Sequence, residues 1–262
     1  VSALTERFDD CRAEGRVPLV GYLPVGYPDV ETSIAAMRVL VEAGCDIVEV
    51  GPPYSDPVLD GPVIQHAAAV ALERGVTVDD AFAAVAAVAE AGAVPVVMSY
   101  ANLMLQRGWD RFAADLKAAG GAGVITPDLT PDAAPAWVEA ARAAEVDTIF
   151  LVAPSTTRER MQLTCDASTG FVYATPLMGV TGERAALGDA AQRVVSEARA
   201  AGAERVCIGV GVSTGEQASE IAGFADGVIV GTAFVRALGD EGDLERLRAK
   251  VTELAEGVRA AR

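Results

Sequence analysis

The sequence predicts an α/β fold, a (β/α)8 barrel that occupies residues 1–262 as a single domain, with extra helices at the N-terminus and in the loops after the second and eighth strands. Three observations carry this. Eight apolar runs of strand length alternate with longer segments at helical spacing, and Gly, Pro, Ser or Thr marks the joints. Hydrophobic residues make up 51% of the chain but aromatics only 5%, so the core is built from Ala, Val, Ile and Leu, as where helices cover a buried parallel sheet. No linker or shift of composition divides the 262 residues, and eight βα units favour a closed barrel over an open doubly wound sheet.

The opening stretch VSALTERFDDCRAEGR is charged and amphipathic and forms the extra N-terminal helix. The first strand is PLVGYL (18–23), followed by the helix ETSIAAMRVLVEAG with Asp29 or Glu31 at its start. DIVEVG (46–51) leads into a long loop, a helix start at Gly61-Pro62 and an Ala-rich helix near 79–91. VPVVMSY (94–100) precedes WDRFAADLKAAG, and GVIT (123–126) precedes PDAAPAWVEAARAA, with Thr130 as cap and Pro131 at the first helical position. DTIFLVA (147–153), GFVYAT (170–175) and RVCIGVG (205–211) are followed by helices near 156–167, 189–201 and 214–223. DGVIVG (226–231) precedes the short helix TAFVRAL, and EGDLERLRAKVTELAEGVRAA is the last helix.

Twenty-one basic against 37 acidic side chains leave a net charge of −16, which repels a phosphodiester backbone and an anionic membrane surface; neither nucleic acid nor membrane is an expected partner. With no apolar signal region and no run of about 18 apolar residues, a soluble cytoplasmic protein is expected. The four cysteines lack CxxC spacing. Scarcity then narrows the chemistry. The only histidine is His66, a rim or surface residue by its place, and the only lysines, Lys117 and Lys250, sit in helices. A Schiff-base aldolase needs a lysine inside the barrel and a zinc aldolase needs several imidazoles, so both are excluded. No strand runs into a GxGxxG turn. Carboxylates, hydroxyls and backbone amides are left.

Glu49 interrupts the apolar strand DIVEVG, and alternation puts it on the same face as Ile47 and Gly51, inside the barrel or at its mouth. A carboxylate there pairs with an arginine or serves proton transfer with a raised pKa. In the next loop, YSDPVLDGP, Asp56 reads as a turn former, whereas Asp60 precedes a helix start on the face of Glu49. Two such carboxylates can divide acid and base roles. GVTG (179–182), GVGVS (209–213) and GTA (231–233) follow strands six, seven and eight. Their glycines let backbone amides and helix N-termini approach an anion, the usual place for phosphate in this fold. A phosphorylated substrate and cofactor-free acid–base chemistry follow.

Glu49 in VEVGPPYSDPVLDG with Asp60, the strand GFVY, and MGVTG, GVGVS and ADGVIVGTA together resemble the tryptophan synthase α subunit family, in order from Leu19 to Leu238. The resemblance implies retro-aldol cleavage of indole-3-glycerol phosphate to indole and glyceraldehyde 3-phosphate, by a lyase without metal or cofactor in this chain. It implies that Glu49 is the acid–base catalyst and that Asp60 accepts the indole N–H. By the same resemblance, Tyr22, Met98, Tyr100, Ile125, Leu151 and Val210 line the indole pocket, Tyr173 lies beside Glu49, and Thr181 closes over Asp60. Gly182, Gly211, Gly231 and Thr232 hold the phosphate. The implied partner is a β subunit carrying pyridoxal phosphate, in an α2β2 complex, with Pro53, Tyr54, Val58 and Leu59 at the contact; the alternative is a free-standing lyase that needs no β subunit. The chain departs from the family in Thr232 where serine is usual, in Pro176 after strand six, and in PPYSDPVL for the commoner PFSDPLA.

Overall fold

The fifth strand is where the sheet meets itself. In a computed structural model describing residues 1–175, 184–209 and 211–261, that strand is two pieces on either side of Phe150. The first piece pairs with the strand before it and the second with the strand after it, so the nine strand segments among the described residues form one closed parallel ring of eight.

In chain order the elements are α1 (Ala3–Ala13), β1 (Leu19–Pro24), α2 (Val30–Ala43), β2 (Ile47–Gly51), α3 (Pro62–Glu73), α4 (Val78–Glu90), β3 (Val94–Met98), α5 (Ala101–Arg107) and α6 (Trp109–Ala118). Then come β4 (Gly123–Ile125), α7 (Pro135–Ala143), β5 (Asp147–Ile149), β6 (Leu151–Val152), α8 (Arg158–Ala167), β7 (Val172–Ala174) and α9 (Arg184–Ala200). The rest are β8 (Val206–Gly209), α10 (Gly215–Ala222), β9 (Gly227–Val230), α11 (Thr232–Leu238) and α12 (Leu244–Arg259). The expected extra helices are α1, α3 and α11.

Side-chain alternation along each strand separates two cores. Val20, Ile47, Val96, Ile125, Ile149, Cys207 and Ile229 fill the barrel. Val48, Val50, Val97, Val124, Val206 and Val228 face outward and pack under the helices. Leu4 and Phe8 of α1 join the inner cluster, with Phe8 against Phe171 at 5.9 Å between ring centres, so α1 plugs the N-terminal end of the barrel. There Arg16 grips Asp46 with two bonds of 2.7 and 2.8 Å, and Asp46 also accepts the Leu19 N–H, fixing the starts of β1 and β2.

Two expectations are corrected. The helix expected from Pro131 starts at Pro135 with Ala134 as N-cap, and Ala133 N–H closes a turn onto the Thr130 carbonyl. Pro135 lacks an N–H and its ring clashes with the carbonyl four residues back, so a helix from Pro131 cannot run through it. The strand expected to reach Tyr100 stops at Met98, and the unforeseen α5 begins at Ala101. It ends at Gly108, whose φ of +91° turns the chain into α6. Asp29 is the cap of α2, accepting the Thr32 N–H at 2.8 Å.

Candidate active site

Ile47 and Glu49 of β2 point into the barrel, while Val48 and Val50 point out. Glu49 is 1% exposed, and its Oε1 has no hydrogen-bond partner among the described residues. No arginine pairs with it there, and burial alone pushes its pKa up to about 8. At neutral pH the folded chain therefore keeps this carboxyl mainly protonated, able to give a proton and, once ionised in an apolar setting, eager to take one back.

Tyr22 of β1 is the register partner of Glu49, and Tyr173 of β7 faces it across the interior. Both phenols are held well above their ordinary pKa, first by burial and then by nearby acids: Asp60 and Glu49 for Tyr22, Glu49 for Tyr173. Neither ring would fit against an ordinary strand. A Cβ on Gly51 would stand 2.5 Å from the Tyr22 ring, and one on Gly209 would collide with the Tyr173 hydroxyl. Glycine at these two strand positions lets the rings lie across the sheet.

Asp60 ends the loop after β2, directly ahead of α3, and is half-buried. Burial raises its pKa, and a hydrogen bond from the Tyr100 hydroxyl to Oδ1 at 3.3 Å works the other way. Asp56 is exposed and accepts the Ser55 hydroxyl at 2.6 Å, the turn role read for it. His66 is exposed on α3 and meets Asp240 at 2.8 Å.

Glu49 and Asp60 line one cavity of about 160 Å³ at the C-terminal ends of the strands, together with Tyr22, Met98, Tyr173, Gly211, Gly231 and Thr232. Gly231 caps α11 with no side-chain bond, and while the Phe234 and Val235 amides donate to its carbonyl, those of Thr232 and Ala233 at the start of the helix are left as donors beside the cavity. Gly211 has φ +60°, a conformation glycine tolerates. Ile64 and Ile229 also line the cavity and were not singled out in the sequence; Leu59, expected at a partner contact, and Gly209, expected only as part of the GVGVS turn, line it as well. For Gly209 the signal was present, a glycine inside a strand. Ile125 is fully buried in the barrel interior, Leu151 packs against the same cluster, and Tyr100 contacts the site through Asp60 rather than as a cavity wall. Pro176, Thr181, Gly182 and Val210 lie outside the described residues. A larger groove of about 990 Å³ runs along α8 and α9, but its carboxylates Glu159, Asp166 and Glu197 are all exposed.

Among the described residues no group of three or more His, Cys, Asp or Glu side chains is placed to hold a metal ion, and no helix is long and apolar enough to cross a membrane. The site can therefore supply an uncharged acid, a half-buried carboxylate and an amide cradle within one cavity. The family model for the tryptophan synthase alpha chain matches residues 8–261. The tryptophan synthase alpha chain of Mycobacterium ulcerans is 56% identical over 258 residues, covering 98% of this chain and 95% of that one. That of Thermobifida fusca is 52% identical, covering 100% and 99%. A tryptophan synthase structure from Mycobacterium tuberculosis superposes with a TM-score of 0.93 at 55% identity, covering 99% of each chain. With the match spanning nearly its whole length, the chain belongs to the tryptophan synthase alpha chain family.

Proposed function

We propose that this chain, as a single barrel domain over residues 1–262, cleaves indole-3-glycerol phosphate into indole and glyceraldehyde 3-phosphate, the α reaction of L-tryptophan biosynthesis. The observation that carries the residue assignment is the buried Glu49, whose Oε1 has no partner among the described residues, sharing a cavity with Asp60. Glu49 gives its proton to indole C3, which places positive character on the ring nitrogen. Asp60 accepts the indole N–H and stabilises that charge where it develops. The Glu49 carboxylate then takes the proton from the hydroxyl on the glycerol carbon bonded to C3. The C–C bond breaks, its electron pair restores the indole ring, and the aldehyde leaves with Glu49 again protonated.

Tyr22, Met98 and Tyr173 form the indole wall, with Tyr100, Ile125 and Leu151 behind it. Gly211, Gly231 and Thr232 bind the phosphate end; Thr181 and Gly182, outside the described residues, are assigned to the same end by the family resemblance alone. Proton transfer of this kind needs no cofactor in this chain. Pyridoxal phosphate belongs to the β subunit of an α2β2 complex, for which Val58 and Leu59, 73% and 45% exposed on the Asp60 loop, are contact residues. A cytoplasmic location follows from that reading. The test is indole release from indole-3-glycerol phosphate, measured with and without the β subunit. Glu49→Gln and Asp60→Asn are each expected to lower kcat at least 100-fold while the circular dichroism spectrum stays that of the parent. Near-parental turnover in either removes its assigned role.

A further inference from the structure

A phenol oxygen has one proton to give and two lone pairs to fill. At Tyr100 all three are spoken for. The oxygen accepts the backbone N–H groups of Val58 and Leu59, each at 3.2 Å, and the remaining proton points to Asp60 Oδ1 at 3.3 Å. The hydroxyl has no bonding capacity left for a substrate, and the residue is only 5% exposed. Its ring stacks on Tyr54, 4.9 Å between centres and 25° between planes.

The backbone of Tyr100 is anchored from the opposite side. Tyr100 is the N-cap of α5, and the next amide, Ala101 N–H, donates to both oxygens of Asp128 at 3.0 and 3.1 Å. Ser99 N–H donates to the Ile125 carbonyl at 3.1 Å. The third and fourth βα units thus hold Tyr100 in place, and Tyr100 holds the loop of the second. Asp60 Oδ1 is engaged, which leaves Oδ2 to meet a ligand N–H.

We infer that Tyr100 is a positioning residue: its hydroxyl orients the Asp60 carboxylate and pins residues 58–60, so that it acts through Asp60 instead of forming part of the indole pocket. Its kinetic consequence rests on the reaction proposed above; its geometry does not.

Tyr100→Phe keeps the ring and its stack and removes one donor and one double acceptor. In the free chain, an NMR titration of the Asp60 carboxyl is expected to move up by about one pH unit in Tyr100→Phe, because the bond that favours the ionised form is gone. Amide exchange at Val58 and Leu59 is expected to accelerate at least tenfold. Tyr54→Leu, which removes the stack and keeps the hydroxyl, is expected to leave the Asp60 titration within a few tenths of a unit. With β subunit present, Tyr100→Phe is expected to lower kcat about tenfold and to move the acid limb of the kcat/KM profile upward by the same unit. An unmoved Asp60 titration overturns the inference, and faster exchange without a titration shift reduces Tyr100 to a loop anchor and overturns the orienting role. Absence of indole release by the parent chain refutes the proposed reaction, while the titration and exchange still decide Tyr100.

Discussion

Glu49 is costly to keep where it is, and the cost has a pH signature. The folded chain holds its proton up to about pH 8, whereas the unfolded chain releases it near the ordinary value of 4.5, so the unfolded state binds fewer protons across that window. Stability must therefore fall as pH rises through it. Glu49→Gln removes the ionisable group and is expected to gain on the parent by roughly 3 kcal/mol between pH 5 and pH 8, measured by urea unfolding at each pH. A constant difference over that range would mean the carboxyl is not held uncharged. The position was legible in the sequence because a lone acid within an apolar strand must be paired or perturbed. Gly211, Gly231 and Thr232 were legible because they belong to the glycine turns that follow the seventh and eighth strands of the barrel. Tyr100 was not legible as a partner of Asp60, since 40 residues separate them and only the folded loop brings hydroxyl and carboxylate together.

Helices reveal their ends in the sequence when a side chain does the capping. Asp29 accepts the Thr32 amide and hydroxyl, each at 2.8 Å, and α2 starts where that pattern places it. Asp29→Ala is expected to cost about 1 kcal/mol in thermal unfolding with kcat unchanged, because α2 covers the outer face of the barrel and carries no cavity residue. α7 and α5 show where such reading fails. At α7 two prolines compete for the first turn, and the second, Pro135, is the one compatible with the helix that follows. At α5 seven residues give too few turns for a helical period to stand out, and its N-terminus is capped from a distant loop by Asp128.

At the scale of the molecule, the alternation of β and α gave away the barrel, but not how its ends are sealed. Leu4 of α1 is fully buried among the inner cluster, packed close enough to Gly170 that a Cβ there would lie 3.0 Å from Leu4 Cδ1. Leu4→Ala is expected to cost about 3 kcal/mol by denaturant unfolding while KM stays within twofold, since the void opens at the end opposite the cavity. The net charge of −16 acts at this scale too, opposing a phosphate from afar, and the amides of the barrel mouth outweigh it only at contact. The split at Phe150 gives the sheet a further property. One short stretch of chain completes both ends of the ring, so losing it takes a strand from the ring and bares two margins at once, along β4 and β7. Each is a strip of unpaired amides and carbonyls able to recruit another chain. A molecule opened at that seam meets its neighbours as an adhesive sheet, and resistance to aggregation is thereby tied to the short stretch from Asp147 to Val152.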